Sequence, residues 1–121
     1  GLLTGNYVEA ARIKLEHFDL WRYFACGAYG DDAADRGSLV PLAVTRARAC
    51  GAAPRSPEDV FVVGDTPHDV ACAAAAGARS IAVATGSSNV DSLRASGAHF
   101  VFKDLRDADA FLRIVAAPPD A

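Results

Sequence analysis

The stretch from residue 60 to residue 70, VFVVGDTPHDV, constrains the fold more than any other part of the chain. Four apolar residues, Val60–Val63, are long enough to form a buried strand, and Gly64 ends it. Thr66 and Pro67 then supply a capping side chain and the fixed φ that favours a helix start. The sequence therefore predicts a strand, a tight turn and a helix, which is the unit from which α/β sheets are built.

Two carboxylates, Asp65 and Asp69, flank the start of this predicted helix. The carboxyl ends of strands in open α/β sheets form the crevice in which ligands bind. Carboxylate oxygens suit Mg²⁺, and the free N–H groups of a helix N-terminus suit phosphate. A structural role is also open, because Thr66 is a good N-cap and Asp69 stands where a capping box has its acidic partner. Asp65 is harder to explain as a cap, since it precedes the capping threonine.

Strand-like and helix-like segments alternate along the whole chain. Strands are predicted at residues 1–4, 24–29, 60–63, 80–84 and 99–102, and helices at residues 7–18, 37–50, 67–76, 90–96 and 108–115. Asn6 followed by Glu9 is typical of a helix start, and Gly77 of a helix end. This alternation predicts an α/β fold with a parallel sheet covered by helices on both faces.

Composition and charge exclude several classes of protein. At 121 residues with 51% hydrophobic side chains, the chain is one domain at most, with residues 116–121 predicted as a frayed tail. A net charge of −3 offers no field for nucleic acid, and the apolar stretches are too short to span a membrane. Cys26, Cys50 and Cys72 form no CxxC pair, so we expect reduced thiols in a cytoplasmic protein.

Three features follow successive predicted strands: Thr4-Gly5-Asn6, an acidic loop, and Gly64-Asp65-Thr66-Pro67-His68-Asp69. Their order resembles the core domain of the haloacid dehalogenase-like hydrolases, in particular the phosphoglycolate phosphatase-like branch, from residue 1 to about residue 107. The resemblance implies a Rossmann-like fold and a Mg²⁺-dependent phosphatase. Such an enzyme hydrolyses small phosphate monoesters through an aspartyl-phosphate, so the expected partner is a small phosphorylated metabolite.

The resemblance also assigns roles to individual residues. Asp65 is expected to bind Mg²⁺, and Asp69 is expected to act in catalysis as its close or water-mediated neighbour. Thr4 is expected to hold phosphoryl oxygens during catalysis, together with the backbone N–H groups of Gly5 and Asn6. A hydroxyl beside turn amides at a helix start is suited to that task.

A positive charge is expected opposite these acids, because the family carries a lysine that neutralises the aspartates and the phosphate. Arg36 stands in the loop where that lysine is expected, so we assign it to phosphate binding and catalysis. A guanidinium keeps the charge but changes the geometry. Lys14 is the other candidate, although its place inside the first predicted helix favours a solvated face.

One family motif is missing from this sequence. The Asp-x-Asp of the central strand is absent, as is the cap domain that selects the substrate, and Asp31, Asp32 and Asp35 do not substitute for it. Residues 1–121 are therefore expected to be a partial core domain, with the nucleophile on a missing N-terminal segment of the same protein. In this family the nucleophile strand lies between the strand ending at Thr4 and the Val60–Val63 strand. Without it, both flanking strands would expose unpaired edges, and the isolated chain is expected to be inactive and prone to associate.

Two other functions stay open: a non-catalytic relative that binds an anion or a partner, and a phosphoryl-transferring mutase of the same fold. Ser87-Ser88-Asn89 resembles a motif of metal-independent dehalogenases, but it follows another strand and a helix cap explains it. His17, His68 and His99 lack the spacing of metal ligands, and structural roles are expected for them. His68 could also line the substrate mouth, because it lies between the two acids.

Overall fold

The structure, a computed structural model, describes residues 1–117 and, for Arg36, the backbone only. Strands and helices alternate throughout that range. The strands are β1 (Leu2–Leu3), β2 (Gly27–Ala28), β3 (Phe61–Gly64), β4 (Arg79–Val83) and β5 (Phe100–Phe102). The helices are α1 (Val8–His17), α2 (Leu39–Ala49), α3 (Pro67–Ala75), α4 (Val90–Ala95) and α5 (Ala108–Val115). Every predicted strand and helix is therefore found, in the predicted order.

The second strand differs most from its predicted bounds. A 3₁₀ turn at Trp21–Tyr23 precedes it, and Phe24 N donates to Trp21 O at 3.2 Å, so the chain cannot extend there. Only Gly27–Ala28 of the predicted segment pairs with another strand. The start of α1 differs too, because its N-cap is Tyr7, while the side chain of Asn6 turns towards Thr4.

Residues 116 and 117, where the predicted tail begins, are hydrogen-bonded to α5. Ala116 N donates to Leu112 O at 2.9 Å, and Ala117 N donates to Ile114 O at 3.4 Å, so the hydrogen bonding of α5 continues past its last residue. The remainder of the predicted tail, residues 118–121, lies outside the described residues.

The strands form two parallel sheets, one of β1 and β2 and one with the order β3-β4-β5. The chain divides into two compact units, Gly1–Pro54 and a second from Arg55 onwards, and each sheet lies in one unit. Parallel strands joined through helices confirm the predicted α/β, Rossmann-like class. Within residues 1–117, β1 pairs only with β2 and β3 only with β4, so each has one unpaired edge.

The core of the second unit forms around its central strand. Ile81 and Ala82 of β4 are almost completely buried, and Val70 of α3 and Leu93 of α4 pack in the same cluster. Val101 of β5 closes that cluster from the side. Burying one such aliphatic side chain stabilises a fold by about 1.5–3 kcal/mol. This packing fixes the ends of β3 and β4, from which the loops discussed below emerge.

Within the first unit, α2 is held by buried apolar side chains and by the ion pair of Arg46 with Asp32. Leu39 and Val40, in the first turn of α2, are buried together with Ala28 of β2. Arg46 then reaches from α2 to Asp32, with Nη1 2.7 Å from Oδ2 and Nη2 2.9 Å from Oδ1. Its Nη1 also donates to Gly27 O at 2.9 Å. The guanidinium therefore ties α2 to both β2 and the loop that follows it.

Among residues 1–117, no helix combines the length and the apolar character needed to cross a bilayer.

The pH dependence of stability is expected to reveal the Asp32 pair. The hydrogen bond from Arg46, followed by that from Tyr29 N, lowers the pKa of Asp32. A lowered carboxyl pKa stabilises the fold above the unfolded value of about 3.9 and loses that effect as the pH falls through the folded pKa. The melting temperature of the full-length protein should therefore drop more steeply below about pH 4 for wild type than for Asp32→Asn. Parallel pH profiles would contradict this role.

Candidate functional site

The turn between β3 and α3 is built around one carboxylate. Asp69 Oδ2 accepts hydrogen bonds from Asp65 N at 3.1 Å, Thr66 N at 3.1 Å and Thr66 Oγ1 at 2.9 Å. Asp69 N in turn donates to Thr66 Oγ1 at 3.3 Å, which completes a capping box with Pro67 at the first helical position. The structural interpretation of Thr66 and Asp69 is therefore confirmed. It leaves their catalytic role a prediction, because a capping carboxylate can also act in a site.

Asp65 lies at the carboxyl end of β3 with an exposed side chain. A Cβ placed on Gly86 would collide with Asp65 Oδ2, and one placed on Gly64 would collide with the carboxylate of Asp69. Glycine at position 64 therefore leaves the space that the hydrogen-bonded carboxylate of Asp69 occupies. The loop after β4, which contains Gly86, lies close to the Asp65 side chain, a contact that the Thr85-Gly86 pattern at a strand end could have indicated.

The donor chemistry of this turn suits a magnesium ion. Among residues 1–117, no group of three or more His, Cys, Asp or Glu side chains is arranged to hold a metal. Mg²⁺ does not need such a group, because it keeps several waters and is bound by one or two carboxylates plus substrate phosphates. Asp65 offers one hard oxygen donor of that kind. The described residues therefore fit one protein ligand of a magnesium site and not a complete one.

The second predicted site element is the turn after β1. Thr4 N donates to Ala28 O at 3.2 Å, and Gly30 N donates to Asn6 O at 2.8 Å. A Cβ on Gly30 would collide with Gly5 O, so the backbone of the loop after β2 is in close contact with the backbone of this turn. The Thr4-Gly5-Asn6 turn is thus fixed by its neighbouring strand before any ligand binds.

The donors of this turn are not all available. Asn6 N and Asn6 Nδ2 both donate to Thr4 Oγ1, each at 3.1 Å. Gly5 N has no acceptor among residues 1–117. Of the two backbone N–H groups predicted to hold phosphate, that of Gly5 is available and that of Asn6 is engaged with threonine.

The acidic loop after β2 has structural partners. Asp31 Oδ1 accepts from Val8 N at 3.2 Å and so caps α1 across 23 residues of sequence. Asp32 pairs with Arg46, and Asp35 Oδ1 accepts from Gly37 N at 3.1 Å. These hydrogen bonds give the three acids structural partners, and the expectation that none of them replaces the family's nucleophile stays a prediction.

Of the two basic residues considered for the site, Arg36 and Lys14, the structure describes the side chain of Lys14 only. The backbone of Arg36 lies in a 3₁₀ turn just before α2, where the loop was predicted, but its side chain lies outside what the structure describes. Its role stays a prediction. Lys14 is exposed on α1, as expected, yet its Nζ donates to Asn6 Oδ1 at 3.2 Å. The helix pattern did not indicate that contact.

The predicted site residues form two groups, one in each unit. Thr4, Gly5 and Asn6 lie in the turn after β1, in the unit Gly1–Pro54. Asp65 and Asp69 lie in the turn after β3, in the unit that begins at Arg55. Their convergence on one cleft stays a prediction.

The alternative features have structural explanations. Asn89 Oδ1 accepts from Ser92 N at 2.8 Å, which confirms that it caps α4. His99 Nδ1 accepts from Ser80 N at 3.1 Å, and His68 Nε2 lies 3.5 Å from Cys72 Sγ. A cavity of about 330 Å³ beside β5 contains none of the predicted site residues in its lining.

The chain was compared with known families and solved structures. Residues 37–108 match the HAD-hydrolase-like family. A crystal structure from Thermotoga maritima, provisionally assigned as a β-phosphoglucomutase, is similar with a TM-score of 0.77 and 22% identity over 94% of this chain and 52% of that one. A haloacid dehalogenase-like protein of unknown function from Agrobacterium tumefaciens has a TM-score of 0.72 and 29% identity, with coverages of 93% and 52%. The chain thus spans about half the length of these structures. No curated protein sequence matches it significantly.

Substitution of Asp69 can separate its two roles. Asp69→Ala removes the acceptor for two backbone N–H groups, and we expect it to lower the stability of the full-length protein by about 1 kcal/mol. Asp69→Asn keeps an acceptor oxygen and should be close to wild type in a denaturant titration. If Asp69 also acts as a carboxylate in catalysis, Asp69→Asn will lose activity without losing stability. Equal stability for the two variants would contradict the capping role.

Proposed function

Because this chain belongs to the HAD-hydrolase-like family, we propose that it is part of a Mg²⁺-dependent phosphatase that hydrolyses small phosphate monoesters. The observation that carries the proposal is the position of Asp65. Its exposed carboxylate follows the carboxyl end of a parallel strand, and Gly86 in the loop after the neighbouring strand leaves room for it. Hard oxygen at that edge of the sheet suits a cation that binds phosphate.

The proposed reaction has two steps. An aspartate outside these 121 residues attacks phosphorus, the ester P–O bond breaks, and the leaving oxygen takes a proton from solvent water and departs as the alcohol. Water then attacks the phosphorus of the aspartyl-phosphate, which releases inorganic phosphate and regenerates the carboxylate. Positioning and charge stabilisation account for most of the catalysis in such transfers.

The residues of this chain bind and orient the phosphoryl group. Asp65 holds Mg²⁺, which neutralises negative charge on the phosphoryl oxygens when it is bound. Asp69 fixes the backbone on both sides of the Asp65 peptide through its three accepted hydrogen bonds. The Thr4 hydroxyl and Gly5 N–H donate to the phosphoryl oxygens, and Arg36 supplies positive charge.

The unpaired strand edges support a nucleophile strand outside these residues. β1 and β3 each pair on one side only within residues 1–117. Val63 of β3 is 46% exposed, whereas strands of parallel sheets are normally buried on both faces. Both similar structures are about twice as long as the matched region, so the remaining half of such a protein can carry the strand and a cap.

A mutase of the same fold is the second candidate, and one comparison favours it. The similar protein from Thermotoga maritima is provisionally assigned as a β-phosphoglucomutase. A phosphatase releases its phosphoryl group to water, whereas a mutase returns it to a second hydroxyl of a sugar. Phosphorus NMR of a hexose phosphate incubated with the full-length protein separates the two, and we expect inorganic phosphate as the product.

The proposed location of the protein is the cytoplasm. Cys26 and Cys50 are free thiols, which fits a reducing compartment such as the cytoplasm. A small phosphorylated metabolite is the substrate class that we propose.

Loss of the Asp65 charge tests the metal role. In the full-length protein, Asp65→Asn should lower Mg²⁺-dependent hydrolysis of an aryl phosphate by at least ~100-fold, because a hard anionic ligand is lost. Asp91→Asn removes the same charge from an exposed position on α4 and should leave the rate unchanged. Near wild-type activity of Asp65→Asn at limiting Mg²⁺ would refute the metal role.

Two substitutions of Arg36 test whether its positive charge acts in the reaction. Arg36→Lys keeps the positive charge and should retain more phosphatase activity than Arg36→Ala. Equal rates for the two variants, in protein of unchanged melting temperature, would show that the charge at this position does not act in the reaction.

A further inference from the structure

Lys14 is connected to the predicted phosphate-binding turn through a chain of hydrogen bonds. Its Nζ donates to Asn6 Oδ1 at 3.2 Å, and Asn6 Nδ2 donates to Thr4 Oγ1 at 3.1 Å. Asn6 N donates to the same hydroxyl oxygen at 3.1 Å. These contacts lie within one compact unit and link an α1 side chain to a residue eight positions earlier.

The ammonium group decides the orientation of the Asn6 amide. A lysine ammonium has three donors and no acceptor, so only the oxygen of the amide can face it. With Oδ1 turned to Lys14, Nδ2 must face Thr4. Without Lys14, the amide could rotate by half a turn and present its oxygen to the threonine instead.

The orientation of the amide in turn directs the threonine proton. Thr4 Oγ1 accepts two hydrogen bonds from Asn6, which occupy both of its lone pairs. Its O–H is therefore left as a donor, and no acceptor among residues 1–117 takes it. A donor with a fixed direction beside the available Gly5 N–H suits an oxyanion, and polarisation along the hydrogen-bond chain strengthens it.

We propose that Lys14 is a positioning residue that orients Asn6 and thereby turns the Thr4 hydroxyl into a hydrogen-bond donor for the phosphoryl group. This inference rests on the proposed function, since it names how the phosphate-binding turn of that site is prepared. It assigns a role to a lysine that is not the family's neutralising lysine, because Lys14 acts through the Asn6 amide.

The test uses the full-length protein with Mg²⁺ and an aryl phosphate, and inorganic phosphate as a competing ligand. Lys14→Met, which keeps an unbranched side chain but has no donor, should lower kcat/KM by about tenfold and weaken inhibition by phosphate to a similar degree. Arg12→Met is the matched control, because Arg12 is exposed on the same helix and forms its ion pair with Glu16 at 2.9 Å, away from the turn after β1. It should remain within about twofold of wild type, as expected for an exposed ion pair. Lys14→Arg is donor-only as well and should recover most of the activity.

A double-mutant cycle then separates positioning from direct charge. If Lys14 acts through Asn6, Lys14→Met should add nothing to the loss caused by Asn6→Ala. Additive losses, or equal effects of Lys14→Met and Arg12→Met, would overturn the inference while leaving the phosphatase proposal intact. A wild-type protein that binds phosphate but hydrolyses no ester would instead overturn the proposed function. In that case Lys14→Met should still weaken phosphate binding more than Arg12→Met does.

Discussion

The carboxylate of Asp69 connects the end of a strand to the start of a helix, and the candidate metal ligand lies between them. It accepts hydrogen bonds from Asp65 N in the turn and from N and Oγ1 of Thr66, the N-cap of α3, so two backbone N–H groups between strand and helix have a partner. Because Asp65 N is one of these donors, the direction of the Asp65 side chain depends on the capping box. The capping box that stabilises the start of α3 therefore also positions the side chain of Asp65.

The turn after β1 and the turn after β3 both also depend on glycines that allow other groups to come close to the backbone. Gly64 and Gly86 leave space for the carboxylates of Asp69 and Asp65, and Gly30 lets its loop reach the carbonyl of Gly5. Gly64 acts within a single turn, whereas Gly86 and Gly30 let the loop after one parallel strand approach the loop after its neighbour. This arrangement follows from parallel pairing, which brings the carboxyl ends of adjacent strands to one edge of a sheet.

Several helix bounds could be predicted from the sequence, because the residues that determine them lie next to one another in the chain. Thr66, Pro67 and Asp69 specify their helix start within four residues, and Asp107 caps α5 by accepting from Ala110 N at 3.0 Å, so the bounds of that helix were predicted correctly. The second strand was predicted too long, since hydrophobic residues near Phe24 are also compatible with a 3₁₀ turn. Asn6 is not the N-cap of α1, which is Tyr7; the side chain that accepts from the first helical N–H is that of Asp31, which is distant in sequence and beyond the reach of local patterning. The contact of Lys14 with Asn6 also depends on how the turn after β1 folds back on α1.

We propose that Asp65 binds the metal ion and that Thr4 and Gly5 bind the phosphoryl group of the substrate. The most direct test is a crystal structure of the full-length protein grown with Mg²⁺ and inorganic phosphate. We expect Mg²⁺ bound to a carboxylate oxygen of Asp65, and a phosphate that accepts hydrogen bonds from Thr4 Oγ1 and Gly5 N. A metal ion bound away from Asp65, or a phosphate beyond hydrogen-bond reach of Thr4, would contradict it.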